Sequence, residues 1–440
     1  MKAARSHAID VGLIVLAGLL QWLPLPANWI ENGYANGIYS ALARTFVPLA
    51  NATPFTIGDV LLIAILLGVI AYWILGWRRT SGSRRSRALK LTLRTAAIAA
   101  FIIVWFDAAW ALNYRRAPIV RRVAFDPVRL SARNVAAFSA QIVAGLNATA
   151  PAAHAEHPSE AALESALAQA EEPVLRRLGD SGSIAVSRPK RTMFDPWFAK
   201  AGIGGQWDPF AYETLLNAEF LPFERPFALA HEWGHVAGFG DESDANLIAA
   251  LTTLRSKNAF IRYSGLFWAY GFLPAADRRR LHVSPLVRAD LIAARQRFLR
   301  TYDPRLSALQ WYVYDKYLRA NRVPAGVVSY SLFIQVLVGT PLDGAGLPVA
   351  RPVDGRTSAA AGGVRAHVRG GQTNPTFNTL EMSEKKVSAL AAKAAEKARK
   401  ERESERLGTA AIAQSAKIRA RFDDERQALA RRYGVITGLS

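Results

Sequence analysis

The amino-acid sequence predicts a mainly α (α+β) chain in three regions. These are a membrane anchor of three transmembrane helices over residues 1–116, a domain with a small sheet over residues 117–342, and a disordered linker with a charged helical tail over residues 343–440. Three observations carry this reading. Apolar stretches crowd the first quarter of the chain, helical periodicity broken by one turn-rich stretch fills the middle, and Gly, Ala, Pro and charged residues dominate the end.

The anchor comes first. Ala8 to Leu23, Ile57 to Trp77 and Ala96 to Leu112 are strongly apolar, and the second comes closest to the roughly 20 residues that a bilayer requires. Lys2 and Arg5 precede the first stretch as in a signal peptide, but no small-residue cleavage motif follows it, so an uncleaved anchor is expected. Arg78, Arg79, Arg84, Arg85, Arg87, Lys90 and Arg94 lie between the second and third stretches, whereas Asn28 to Thr56 holds only Arg44 as a basic residue. Basic loops stay in the cytoplasm, so three crossings put the chain after about Asn113 on the far side. The net charge of +20 raises nucleic acid as a partner, but the basic residues are spread over loops and tail rather than one face. No nucleic acid is therefore expected, and Arg115, Arg116, Arg121 and Arg122 are expected beside anionic lipid. With no cysteine, disulfides and thiolate metal ligands are excluded.

In the middle region Ser131 can cap a helix to about Leu146, and Ser159 another to about Gln169 or beyond. His154 and His157 fall in the Ala-Pro-His linker between them and read as exposed loop histidines. Ser187 to Glu219 reads as strands and turns, with Phe194-Asp195-Pro196-Trp197 as a turn and Tyr212 to Ala218 as a strand. Tyr312 to Leu318 and Val327 to Val338 are too short to span a bilayer and read as core or as a surface resting on the bilayer.

The stretch that bears chemistry is His231-Glu232-Trp233-Gly234-His235. On a helix, residues four apart share a face, so the two imidazoles converge and Glu232 stands beside them. With 7 histidines in 440 residues, chance pairs at this spacing number roughly 0.1 before glutamate is required in second place. Pro226 suits the first turn of that helix, and Gly238 and Gly240 can stop it. Zn²⁺ binds such imidazoles in tetrahedral array and acidifies water, and an adjacent carboxylate can take the proton. Two third ligands stand in sequence. Asp241 gives a spacing similar to that of short-spaced zincins, and Glu242-Ser243-Asp244-Ala245-Asn246 is similar to the Glu-x-x-Ala-Asp element of gluzincins. Asp241, after Gly240, suits the N-cap of the next helix, which favours Glu242 as ligand with Asn246 orienting a histidine. In zincins an edge strand ahead of the active-site helix pairs with substrate, and by that resemblance Leu216 to Ala218 is expected to do so, an ordinary sheet strand being the alternative. Tyr263 is a candidate oxyanion donor, and His282 a weaker one.

Separate blocks resemble one family in order: Asn32-Gly33, Pro54 to Asp59, Trp110 to Arg115, His231 to Asn246, Arg262 to Gly265, and Tyr314 to Leu318 with Gly326, Ser329 and Tyr330. They resemble the bacterial "domain of unknown function 3810" family over roughly residues 8 to 342, leaving the tail outside. The resemblance implies a zincin-like, membrane-anchored protein of the bacterial cytoplasmic membrane, with Zn²⁺ on His231, His235 and Glu242 and with Glu232 as base. Trp233-Gly234 and Val236-Ala237 depart from the more aliphatic and polar pairs expected there. The expected function is a zinc metalloendopeptidase acting on protein or peptide substrates. A non-catalytic zinc-binding membrane sensor or scaffold is the alternative.

Overall fold

The computed structural model describes residues 2–79, 82–182 and 185–351. The described chain is mainly helical. Helix α1 spans Lys2–Trp22, a π-helical stretch over Trp29–Tyr39 runs into α2 (Ser40–Asn51), and α3 (Ile57–Arg79) and α4 (Arg84–Ala109) follow. Helix α3 fully buries no residue and leaves most of its apolar side chains exposed, while Trp73 on its α4 side donates to Thr95 Oγ1 at 3.0 Å. Helices α1 and α4 pack together, with Gln21 Nε2 donating to Asp107 Oδ2 at 2.6 Å and Arg94 3.7 Å from Asp10. The carboxylates of Asp10 and Asp107, buried in this apolar pair, thus each face a polar group of the other helix.

Among the described residues three helices are long and apolar enough to cross a membrane: α3, α4 and α5 (Ala132–Ala155). This set differs from the sequence expectation at both ends. The apolar part of α1, Ala8–Trp22, is shorter, and α4 stops at Ala109 before a tight 3₁₀ turn over Ala111–Arg115. Helix α5 qualifies by length and composition, yet it packs against α10 (Ala259–Phe272) and buries Ile142, Val143, Leu146 and Ala153. Its apolar residues are spent on a protein core. It runs nine residues beyond Leu146, so His154 is helical rather than in a loop, with Nε2 2.8 Å from Asp290 Oδ2. His157 lies beyond the helix and is exposed.

Ser159 caps α6 (Glu160–Arg177), accepting from Ala162 N–H. The stretch that read as strands and turns contains a helix as well. Phe194 to Trp197 opens α7 (Asp195–Ala201), because proline fits a first helical turn as well as a β-turn. The strands β1 (Pro189–Lys190), β2 (Gly205–Asp208) and β3 (Glu213–Leu216) form a sheet in the order β1-β3-β2, with β1 parallel and β2 antiparallel to β3. The expected edge role of Leu216 to Ala218 is corrected here. Strand β3 is central and buried, and Leu216 pairs with Gly205.

The remaining helices are α8 (Arg225–Val236), α9 (Glu242–Leu254), α10, α11 (Ala275–Arg280), α12 (Pro285–Thr301), α13 (Pro304–Ala320) and α14 (Phe333–Gly339). The main core joins Ile30, Tyr34, Tyr39 and Val47 from the segment after α1 to Phe227, Trp233 and Ile248 of α8 and α9. A second cluster lies between α5, α10 and α12. Three of the four arginines expected at lipid have protein partners. Arg116 is buried on Glu31 and Asp180, Arg122 pairs with Glu31, and Arg115 donates to Leu20 and Leu23 carbonyls at the end of α1. Residues 343–351 return to the fold, with Arg351 N–H donating to Arg122 O at 2.9 Å and Arg177 2.8 Å from Asp343. Residues 352–440, most of the expected tail, lie outside the described residues.

Candidate functional site

Helix α8 starts where Pro226 occupies its first turn and Phe227 N–H is held by Ser264 Oγ at 3.0 Å. It ends in a Schellman turn: Gly238, at φ +84°, donates to His235 O, and Phe239 N–H to Gly234 O at 3.1 Å. This turn aims the Phe239 carbonyl back at His235, whose Nδ1 lies 2.7 Å from it. The Trp233-Gly234 pair, unexpected by family resemblance, has a packing reason. Trp233 is fully buried with its indole N–H on Ser187 O at 2.8 Å, and a Cβ on residue 234 would come within 3.2 Å of Ala245 Cα on α9.

Helix α9 carries the third arm. Asp241 caps it by accepting from Ser243 N–H at 2.7 Å, so its carboxylate is spent there, and Asp244 accepts from Ile119 N–H with both oxygens. Glu242 instead turns inward, with Oε2 3.1 Å from His231 Nε2 and 3.4 Å from His235 Nε2. Burial raises the pKa of Asp244, reinforced by the neighbouring charge of Asp241.

The tautomers follow from the outer hydrogen bonds. Asn246 Nδ2 donates to the Tyr330 carbonyl at 2.9 Å, which turns its Oδ1 to His231 Nδ1 at 2.8 Å. Both Nδ1 atoms therefore face oxygens that only accept, so each carries its proton there. In the neutral rings the Nε2 lone pairs then point, with Glu242 Oε2, at one spot. The ligand atoms of His231, His235 and Glu242 lie within 4.8 Å of one another, a group that could hold a metal ion. Three electron-rich atoms converging in a buried place need a positive charge between them. A proton can supply it: although burial opposes the charged form of His235, the Glu242 carboxylate raises that imidazole to about 9. Burial likewise opposes ionised Glu242, and the two histidines overcome it, holding the carboxyl well below its ordinary range.

Glu232 sits beside this cluster, 4% exposed. Trp207 N–H of β2 donates to it; burial raises its pKa while both histidines pull the other way. Strand β2 comes this close only because residue 205 is glycine. A Cβ there would lie 2.5 Å from Glu232 Oε1 and 2.8 Å from Leu215 O. Trp110, directly after α4, stands edge-on to His235 with ring centres 6.1 Å apart.

The expected Tyr263 is elsewhere. Its hydroxyl donates to Asp290 within the second core cluster, so it is not an oxyanion donor for the histidine pair, and His282 lies exposed before α12. The phenols at the site are Tyr314, which donates to Glu242 Oε1, and Tyr330, whose ring stacks on His231 with centres 6.2 Å apart. Burial and the carboxylate of Glu242 push both phenols far up, so they remain donors. Both tyrosines belong to segments that read in sequence as apolar runs. Their place in the blocks that carry the family resemblance marks them, but their distance from His231 along the chain hides the contact.

A family model described as "Protein of unknown function (DUF3810)" matches residues 34–338, well over half of the chain. The chain belongs to this family. The DUF3810 match covers both arms of the cluster and the helices that support it. No curated protein and no solved structure matches the chain.

Proposed function

We propose that this DUF3810 member is a membrane-anchored zinc metallopeptidase that hydrolyses peptide bonds of protein or peptide substrates. The observation that carries the reading is the meeting of His231 Nε2, His235 Nε2 and Glu242 Oε2, with both Nδ1 protons fixed outward and Glu232 alongside. Two imidazoles and one carboxylate fit Zn²⁺ and leave a fourth corner of a tetrahedron for substrate or water. When bound there, the ion supplies a Lewis acid that polarises a carbonyl and acidifies water. Glu232, dry and held by Trp207 N–H, takes the proton of the attacking water and hands it to the leaving amine, so that one C–N bond breaks as one C–O bond forms. In place of Tyr263, Tyr330 is the phenol that would donate to a polarised carbonyl, a role supported by its place beside His231 and Glu242.

The anchor lies in the bacterial cytoplasmic membrane, with the site on the outer side, a reading supported by Arg78 and Arg79 at the end of α3 and Arg84, Arg85, Arg87, Lys90 and Arg94 in the first part of α4. Glu232→Gln is expected to keep bound zinc, measured by metal analysis, and to abolish the new protein termini that the wild-type chain generates in a proteomic comparison. Turnover that persists in this variant removes the mechanism. The low exposure of the His231 and His235 side chains, 12% and 9%, favours one second reading, a zinc-binding sensor or scaffold without turnover. Stoichiometric zinc with no chelator-sensitive cleavage would establish it.

A further inference from the structure

We propose that the outward face of α13 is seated in the headgroup layer of the bilayer. Helix α13 is amphipathic in the wrong sense for a helix surrounded by water. It buries only Ser307 and Leu318, while Leu309, Tyr312 and Val313 are 55%, 52% and 54% exposed. At 100° per residue these three fall on one face with Arg305 and Lys316, and Lys316 Nζ lies 5.6 Å from the Tyr312 ring. An apolar stripe with a tyrosine and flanking basic chains matches an interfacial helix, whose cations reach anionic headgroups while their stems stay apolar.

Its location identifies the occupant. Tyr317 of the same helix meets Phe106 near the end of α4, with ring centres 6.4 Å apart, and Arg322, just past α13, donates to Gln21 O at the end of α1 at 3.0 Å. Phe106 also stacks on Phe210, which is 41% exposed, and Trp22 is 86% exposed at the same end. Trp22 and Phe210 are thus exposed aromatic residues where α1 and α4 give out, as at membrane–water boundaries, and Tyr317 and Arg322 fix α13 at that same level. The opposite face of α13 carries Tyr314, which holds Glu242.

The chain has no cysteine, so single-site labelling of the full-length protein is direct. Spin labels at Val313→Cys and Leu309→Cys are compared, in vesicles of phosphatidylethanolamine and phosphatidylglycerol, with Leu66→Cys on α3 and with Ser165→Cys on α6. Collision rates with oxygen and with a water-soluble nickel chelate give the depth of each. The proposal expects both α13 labels to favour oxygen over nickel severalfold more than the Ser165 label, approaching the Leu66 label. Two outcomes overturn it: accessibility equal to that at Ser165, which means water, or shielding from both reagents, which means that protein covers the face. Neither outcome depends on zinc or on turnover.

Discussion

Asn246 Oδ1 lies 2.8 Å from His231 Nδ1, while its amide nitrogen donates to the Tyr330 carbonyl. One side chain thereby fixes a tautomer and ties α9 to the segment after α13. Asn246→Ala frees the imidazole to rotate and to move its proton to Nε2. Zinc affinity is expected to fall by about 10 to 100-fold, the usual effect of losing such a supporting bond. Competition titration with a chromophoric chelator checks it.

Gly205 gives a test that separates the base from the ligands. In Gly205→Ala the new methyl meets Glu232 Oε1 and Leu215 O, so either the carboxylate or the strand must move. Zinc content should hold, because none of the three converging atoms is touched, while turnover drops by about 100-fold for a displacement near 1 Å. The expected loss of stability is about 1 to 3 kcal/mol.

Gly238 works through backbone shape. At φ +84° a side chain is strained, and its Cβ would also lie 2.9 Å from Asn113 Oδ1. Gly238→Ala is expected to cost about 1 to 3 kcal/mol in thermal unfolding and to loosen the Phe239 carbonyl from His235. Weaker zinc binding should accompany the stability loss.

Glu171 sets a pH dependence away from the cluster. It is fully buried on α6, and neither carboxyl oxygen has a hydrogen bond among the described residues. Burial, with a smaller push from Asp180, raises its pKa well above the ordinary value. The unfolded chain loses this proton at about pH 4.3 while the folded chain keeps it, so the contribution to stability is full below that pH and declines as pH rises toward the folded value. Each pH unit across that window removes up to about 1.4 kcal/mol. Glu171→Gln does not titrate, so its unfolding temperature should gain on the wild type steadily from pH 4 to pH 7. A constant difference across that range would show that the carboxyl is not buried as described.

The parts of the site legible in the sequence were those fixed by local geometry. The i, i+4 histidines, Pro226 and Gly238 at the helix ends, and the Ser131, Ser159 and Asp241 caps all depend on neighbours within a few residues. The parts that were not legible depend on packing between distant segments. Tyr314 and Tyr330 reach the cluster, and Tyr263 does not, because of where α13 and α10 lie, and no period in the sequence encodes that. Strand β3 was recognisable as a strand, but its central place depends on β1, which at two residues is too short to announce itself. Helix α5 was legible from its Ser131 cap, but its continuation past Leu146 to Ala155 was not, because Pro151 and the alanines around it read as a linker.

Trp110 follows the last residue of α4 and rests its ring edge on that of His235. On the proposed function, a reaction centre fastened there would have a fixed height above the hydrocarbon and no tether along which to roam. The bonds within its reach would be those that a partner holds at that same level, so the anchor would act as a ruler, and a flexible spacer inserted after Ala109 would erase the graduation while leaving His231, His235 and Glu242 in the chain.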